Sequence, residues 1–238
     1  MTADPPEHEL DEGLPASPLH GFQGDRGARP CRASAPASLT IAISREAGSR
    51  GSSIAARVGQ KLGWQVYNQE LLEYIAQEGA FRHDLAAALS PEAAQWAEAR
   101  LEALLREENL SQHPGVMDLA RIILGLGARG EVILIGRGAG NILPSASTLH
   151  VRIIAPLADR IAYMSQWLRL TQEQAAEQVR LRDERRGEFI VTHFHRQATD
   201  CYQYDLLLNS GLLGEDLCAD LIAQAARAKL AVFQGQSA

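Results

Sequence analysis

Residues Leu39–Leu62 read LTIAISREAGSRGSSIAARVGQKL. The apolar run Leu39–Ile43 has the character of a buried strand. It enters a turn rich in Gly and Ser (Ser44–Ser53), which opens directly into an Ala/Arg helical pattern (Ile54–Leu62). Strand, small-residue loop and helix together make an anion cradle, because loop N–H groups and the positive end of the helix dipole converge on one point. Gly48 and Gly51 let an anion approach the backbone closely. Ser52 and Ser53 are candidates to cap the helix or to offer a hydroxyl to a phosphate-bound Mg²⁺. The loop is not a Walker A sequence, since GxxxxGK[ST] requires a lysine and the chain has only Lys61 and Lys229.

Strand-like and helix-like segments alternate after this motif, which predicts a parallel sheet covered by helices on both faces. Strands are expected at Leu39–Ser44, Trp64–Tyr67, Glu131–Ile135, Leu149–Ala155 and Tyr204–Leu208. Helices are expected at Ile54–Leu62, Gln69–Gln77, 91–108, Val116–Leu126 and Asp159–Leu168, at a capping-box start over Thr171–Gln174, and at Gly214–Val232. In such sheets ligands bind beyond the carboxyl ends of the strands. Ser44–Ser53, Gly136-Arg137-Gly138 and Asn209-Ser210 all fall there, so the cradle and Arg137 are expected at one edge. Arg180–Arg186 packs four arginines and two acids into seven residues. It is open to two readings, a salt-bridged helix face or a mobile lid whose arginines fold over a polyphosphate.

The 238 residues suffice for one large domain or two small ones, and 46% hydrophobic content supports a sizeable core. Net charge is -6, which gives no electrostatic case for a nucleic-acid partner. Three scattered cysteines suggest neither zinc nor a disulfide framework. No apolar run is long enough for a membrane span and no secretory signal is visible, so a cytoplasmic protein is expected. Residues 1–37 hold six of the ten prolines and are expected to be a disordered tail before a domain at 38–233.

The segments AISREAGSRGSSIA (42–55), KLGWQVYNQELL (61–72), ILIGRGAGNILP (133–144), HVRIIAPLADRI (150–161), RDERRGEFIVTHF (182–194) and YDLLLNS (204–210) resemble, in order and spacing, the cytidylate kinase-like family of P-loop nucleoside monophosphate kinase relatives. The resemblance implies an α/β fold, a three-layer parallel sheet with helices on both faces, adenylate-kinase-like, with a small lid at about 169–200. It implies ATP-dependent phosphoryl transfer to a small phosphorylated acceptor, most simply CMP or dCMP, with Mg²⁺ accompanying ATP. Gly48, Ser49, Arg50, Gly51, Ser52 and Ser53 would hold the ATP phosphates, with Ser52 facing the metal and Arg160 near the donor base. Arg45, Asn68, Gly136 and Arg137 would serve the acceptor, with Arg137 on its phosphate. Arg182 and Arg186 would close on the transferring group, with Arg50 as first candidate and Arg45 as second to supply the missing lysine's charge. Three departures stand out: Gly51 in place of the lysine, Asn68 in place of an acid, and Val191-Thr192 where relatives often carry two basic residues. They motivate an alternative, a non-catalytic nucleotide-binding or regulatory protein on the same fold. Oligomeric state is not legible in the sequence.

Overall fold

A computed structural model describes residues 35–78, 83–85, 87–107 and 109–236. The expected tail therefore lies outside the described residues up to position 34; by Ala37 the chain is tied to the core, its N–H donating to the Ala128 carbonyl at 2.9 Å.

Five strands form one parallel sheet: β1 (Thr40–Arg45), β2 (Gln65–Tyr67), β3 (Val132–Ile135), β4 (Thr148–Ile154) and β5 (Leu206–Asn209), in the order β2-β3-β1-β4-β5. The strands are continuous apolar runs because most are buried on both sides. On one face Ile41, Ile43, Val151 and Ile153 pack against α1 (Gly51–Leu62) and α8 (Ser210–Gln236), through Ile54, Val58, Ala219 and Ile222. On the other face Ala42 and Leu134 pack against α2 (Gln69–Gln77), α3 (Pro91–Arg106), α4 (Pro114–Arg129) and the short α5 (Ala139–Ile142). Two further helices, α6 (Leu157–Leu168) and α7 (Gln172–Phe194), follow β4. A small third cluster joins them to the first loop, with Ala47 of that loop against Met164, Ala175 and Val179. The fold class expected from the alternation is the one observed.

Local chemistry explains most element starts. Ser90 caps α3, its Oγ accepting from Ala93 N at 3.2 Å, with Pro91 in the first turn. Thr171 and Gln174 form the reciprocal capping box of α7. The segment expected as a lid is thus built on one continuous helix of 23 residues. The closing helix begins earlier than Gly214, and Gly214 itself is non-helical, so α8 is two helical pieces across a kink.

Candidate functional site

The loop after β1 is pinned from several sides. Ser49 is buried, and its Oγ donates to the Glu46 carbonyl at 2.9 Å and the Ile153 carbonyl at 3.3 Å. Ser210, just after β5, donates through Oγ to the Ser49 carbonyl at 2.8 Å. Asp183 of α7 accepts the Ala47 N–H at 2.7 Å and an Arg160 Nη1 bond at 2.5 Å. Arg160 also donates to the Ala155 and Ala47 carbonyls at 3.1 and 3.3 Å and lies 3.4 Å from Glu46. It is a buried brace under the loop, with its guanidinium committed to protein groups.

Arg50 precedes α1 with φ 59, the left-handed conformation in which glycine is usual. Its side chain turns away from the strand edge. It lies 5.1 Å over the Tyr163 ring and 3.8 Å from Glu215. Arg45 takes the opposite course. It is 8% exposed, and its stem lies across Gly51 so closely that a Cβ at 51 would stand 2.8 Å from Arg45 Cβ. Its Nη1 lies 2.7 Å from where a Gly136 Cβ would be, and Gly136 has φ +78. Both glycines therefore make room for one arginine, which runs from the start of α1 to the turn after β3. A Lys side chain at position 51 would meet Arg45 first. Of the two arginines expected to supply the missing cation, Arg45 rather than Arg50 lies on Gly51.

Ser52 Oγ is buried and, among the described residues, has no hydrogen-bond partner. An orphaned hydroxyl in the first turn of α1 fits a phosphate-bound Mg²⁺, which takes few protein ligands. Among the described residues no group of three or more His, Cys, Asp and Glu could hold a metal ion. Gly48 keeps φ +77 and Ser53 is partly buried in the first turn of α1.

Beside the loop lies a cavity of about 380 Å³, reached from Ser44, Arg45 and Glu46 on one side and from Gly136, Arg137 and Arg186 on the other. Arg137 pairs with Glu73 of α2 and lies 5.0 Å over Phe189 of α7. Arg186 lines this cavity and Arg182, four residues earlier, does not. Asn68 is also outside the lining. Its Oδ1 caps α2 by accepting from Leu71 N at 2.9 Å, so the departure from an acid there is a helix cap.

Sequence reasoning passed over the other wall. His150 and Arg152 project from β4 on the face opposite Leu149, Val151 and Ile153, and both line the cavity. Arg152 Nη1 donates to Ser44 Oγ at 2.9 Å and its guanidinium lies 5.7 Å over Tyr204. His150 Nδ1 is 3.3 Å from the Gln203 carbonyl. Burial pushes the His150 pKa below its ordinary value, opposed by the Gln203 carbonyl and Asp205. The signal was present: Leu149-His-Val-Arg-Ile153 alternates with period two, which marks one apolar and one polar face. Asp183 lies within the RDERR segment, where sequence alone marks it only as one of two acids.

The structure thus sets a glycine-containing loop after the first strand of a parallel sheet beside an arginine-lined cavity. The chain belongs to the cytidylate kinase-like family, whose model matches residues 40–212. It is similar to an uncharacterized protein from Eubacterium ventriosum, with TM-score 0.56, 17% identity, and coverage of 79% of this chain and 98% of that one. It is more distantly similar to shikimate kinase from Bacteroides thetaiotaomicron, with TM-score 0.45, 10% identity, and coverage of 79% and 98%. Over 104 residues it is 32% identical to the uronate isomerase of Corynebacterium glutamicum, covering 44% of this chain. The chain spans about a fifth (20%) of the length of that curated relative. The family supports phosphoryl transfer as the general chemistry. No helix of the described residues is long and apolar enough to cross a membrane.

Proposed function

We propose that this protein transfers the γ-phosphoryl group of ATP to a small phosphorylated acceptor, with CMP or dCMP the simplest candidates in view of the family. The observation that carries this reading is Arg45, which spans from Gly51 at the start of α1 to Gly136 beside Arg137. One buried arginine thereby touches both sides, its stem against the loop expected to hold the donor and its guanidinium against the turn expected to hold the acceptor. Gly48–Ser53 would bind donor phosphates through backbone N–H groups. Mg²⁺, held by the phosphates and Ser52 Oγ, would neutralise charge on the transferring group when bound. Arg137 would exchange Glu73 for the acceptor phosphate, and Arg186 would approach from α7. No side chain need act as a covalent nucleophile, because such transfer rests on alignment and stabilisation of spread charge.

A second reading has its own observation. Arg137, expected at the acceptor phosphate, is paired with Glu73, and the Ala47 N–H at the entry to the loop is held by Asp183, so both already have anionic partners. That arrangement suits a nucleotide-responsive regulatory protein. Purified protein with Mg-ATP and a panel of nucleoside monophosphates, followed by phosphorus NMR, separates the two. Diphosphate formation is expected. ATP binding with no acceptor phosphorylated leaves the regulatory reading standing.

A further inference from the structure

We propose that the β4 wall of the cavity is a second oxyanion site, so that the acceptor carries, besides its phosphate, another anionic group that docks on Arg152. The proposal rests on the phosphotransferase reading for the first phosphate and narrows its acceptor, putting a molecule with a second anionic group ahead of CMP or dCMP.

Arg152 is 8% exposed, and among the described residues no carboxylate lies within ion-pair distance of it. Its contacts there are one neutral hydroxyl, Ser44 Oγ, and the face of Tyr204. A guanidinium held out of water without a counter-ion is costly, and such charges in proteins are ordinarily paired. The other buried arginine of this region shows the contrast: Arg160 has both Glu46 and Asp183. Those two are also the acids that line the cavity, against four lining arginines: Arg45, Arg137, Arg152 and Arg186. Arg160 takes both of those acids, and Arg137 has Glu73. His150, two residues before Arg152 on the same face, adds a buried Nε2 with no partner among the described residues.

Geometry fixes what fits. Arg152 stands opposite Ser44 across the β1–β4 pair, and Arg137 follows β3 on the far side of β1. Two strand spacings of roughly 4.8 Å separate the two backbones, about 10 Å in all. A small molecule with oxyanions at both ends spans that gap, the second being a carboxylate or a second phosphate. Arginine recognises both through the same planar fork. A neutral pyrimidine would leave the guanidinium without a counter-charge.

Calorimetric titration of the full chain tests this with three probes: fructose 1,6-bisphosphate with two phosphates, 3-phosphoglycerate with a phosphate and a carboxylate, and glycerol 3-phosphate with a single phosphate. CMP is titrated alongside. At least one two-anion probe is expected to bind tenfold or more tighter than glycerol 3-phosphate and CMP. Which of the two wins tells whether the second group is phosphate or carboxylate. Arg152→Gln should abolish the advantage while glycerol 3-phosphate affinity stays within threefold. Arg152→Lys, which keeps the charge without the fork, should retain part of it and serves if the Gln variant does not fold. No advantage for either two-anion probe, or an advantage that survives Arg152→Gln, overturns the proposal and leaves Arg152 a brace between β1 and Tyr204. Transfer from ATP is read separately. Two-anion binding without transfer keeps the subsite and rejects the kinase reading. Transfer to CMP with no two-anion preference does the reverse.

Discussion

Arg45 and Arg50 show how adjacency in sequence differs from adjacency in space. Arg50 neighbours Gly51, but its left-handed backbone sends the side chain toward Tyr163 and Glu215. Arg45 is six residues from Gly51 and lies on it. Arg45→Ala is therefore expected to lower turnover with Mg-ATP by at least about tenfold, equivalent to about 1.4 kcal/mol. Arg50→Ala should change it by less than about threefold, since a partly exposed ion pair at 3.8 Å contributes little. Steady-state kinetics on both variants decide the matter, and the opposite ranking would return the role to Arg50. Gly51→Lys alone should lower the melting temperature, because its Cβ would meet the Arg45 stem at 2.8 Å. Arg45→Gly combined with Gly51→Lys should recover most of that loss, and simple addition of the two single effects would show that the positions do not compete. His150 provides a pH test. Burial lowers its folded pKa below 6.5. As pH falls through that ordinary value the unfolded chain takes up a proton that the folded chain does not, so stability is lost on acidification. Denaturant melts from about pH 7.5 to about 5.5 should slope less in His150→Gln than in the parent.

At the scale of elements, α7 carries both a cavity arginine and the acid that organises the loop. Asp183→Ala removes the acceptor of Ala47 N–H and leaves Arg160 with Glu46 as its remaining carboxylate partner. The expected cost is about 1–3 kcal/mol, a Tm fall of roughly 2–10 °C, with amide exchange rising first in the loop and in α7. Unchanged exchange in the loop would show that Ser49 and Ser210 suffice to hold it. The ends of elements were legible where side-chain chemistry is local: the Ser90 cap, the Thr171–Gln174 box and the Gly63 stop all act within a few residues. Other features were not legible for physical reasons. The α5 turn over Ala139–Ile142 reads as a loop because Gly and Asn carry no helical pattern. The destinations of Arg50, Arg137 and Asp183 depend on partners 165, 64 and 136 positions away, at Glu215, Glu73 and Ala47. No local rule reports those.

For the molecule as a whole, the alternation of strand-like and helix-like segments was enough to name the parallel sheet and to bring the loop after β1 and the turn after β3 to one edge. It was not enough to show what the sheet does on its second face. There the apolar cover of α2, α3, α4 and α5 serves β1 and β3, while β4 turns His150 and Arg152 toward the cavity. The floor of that cavity is thus a strand bonded to β1 on one side and β5 on the other. A ligand resting on it meets groups already immobilised, so little ordering entropy is lost on binding. Warming separates the two halves of the site on this account. The ratio between affinities for competing acceptors should stay flat until the sheet itself melts. Contributions from α7 should fade earlier, and the catalytic rate with them. Parallel measurements of competition and turnover across a temperature ramp would read the difference. A preference that drifts with temperature in step with turnover would place discrimination on the helix and leave the strand a passive floor.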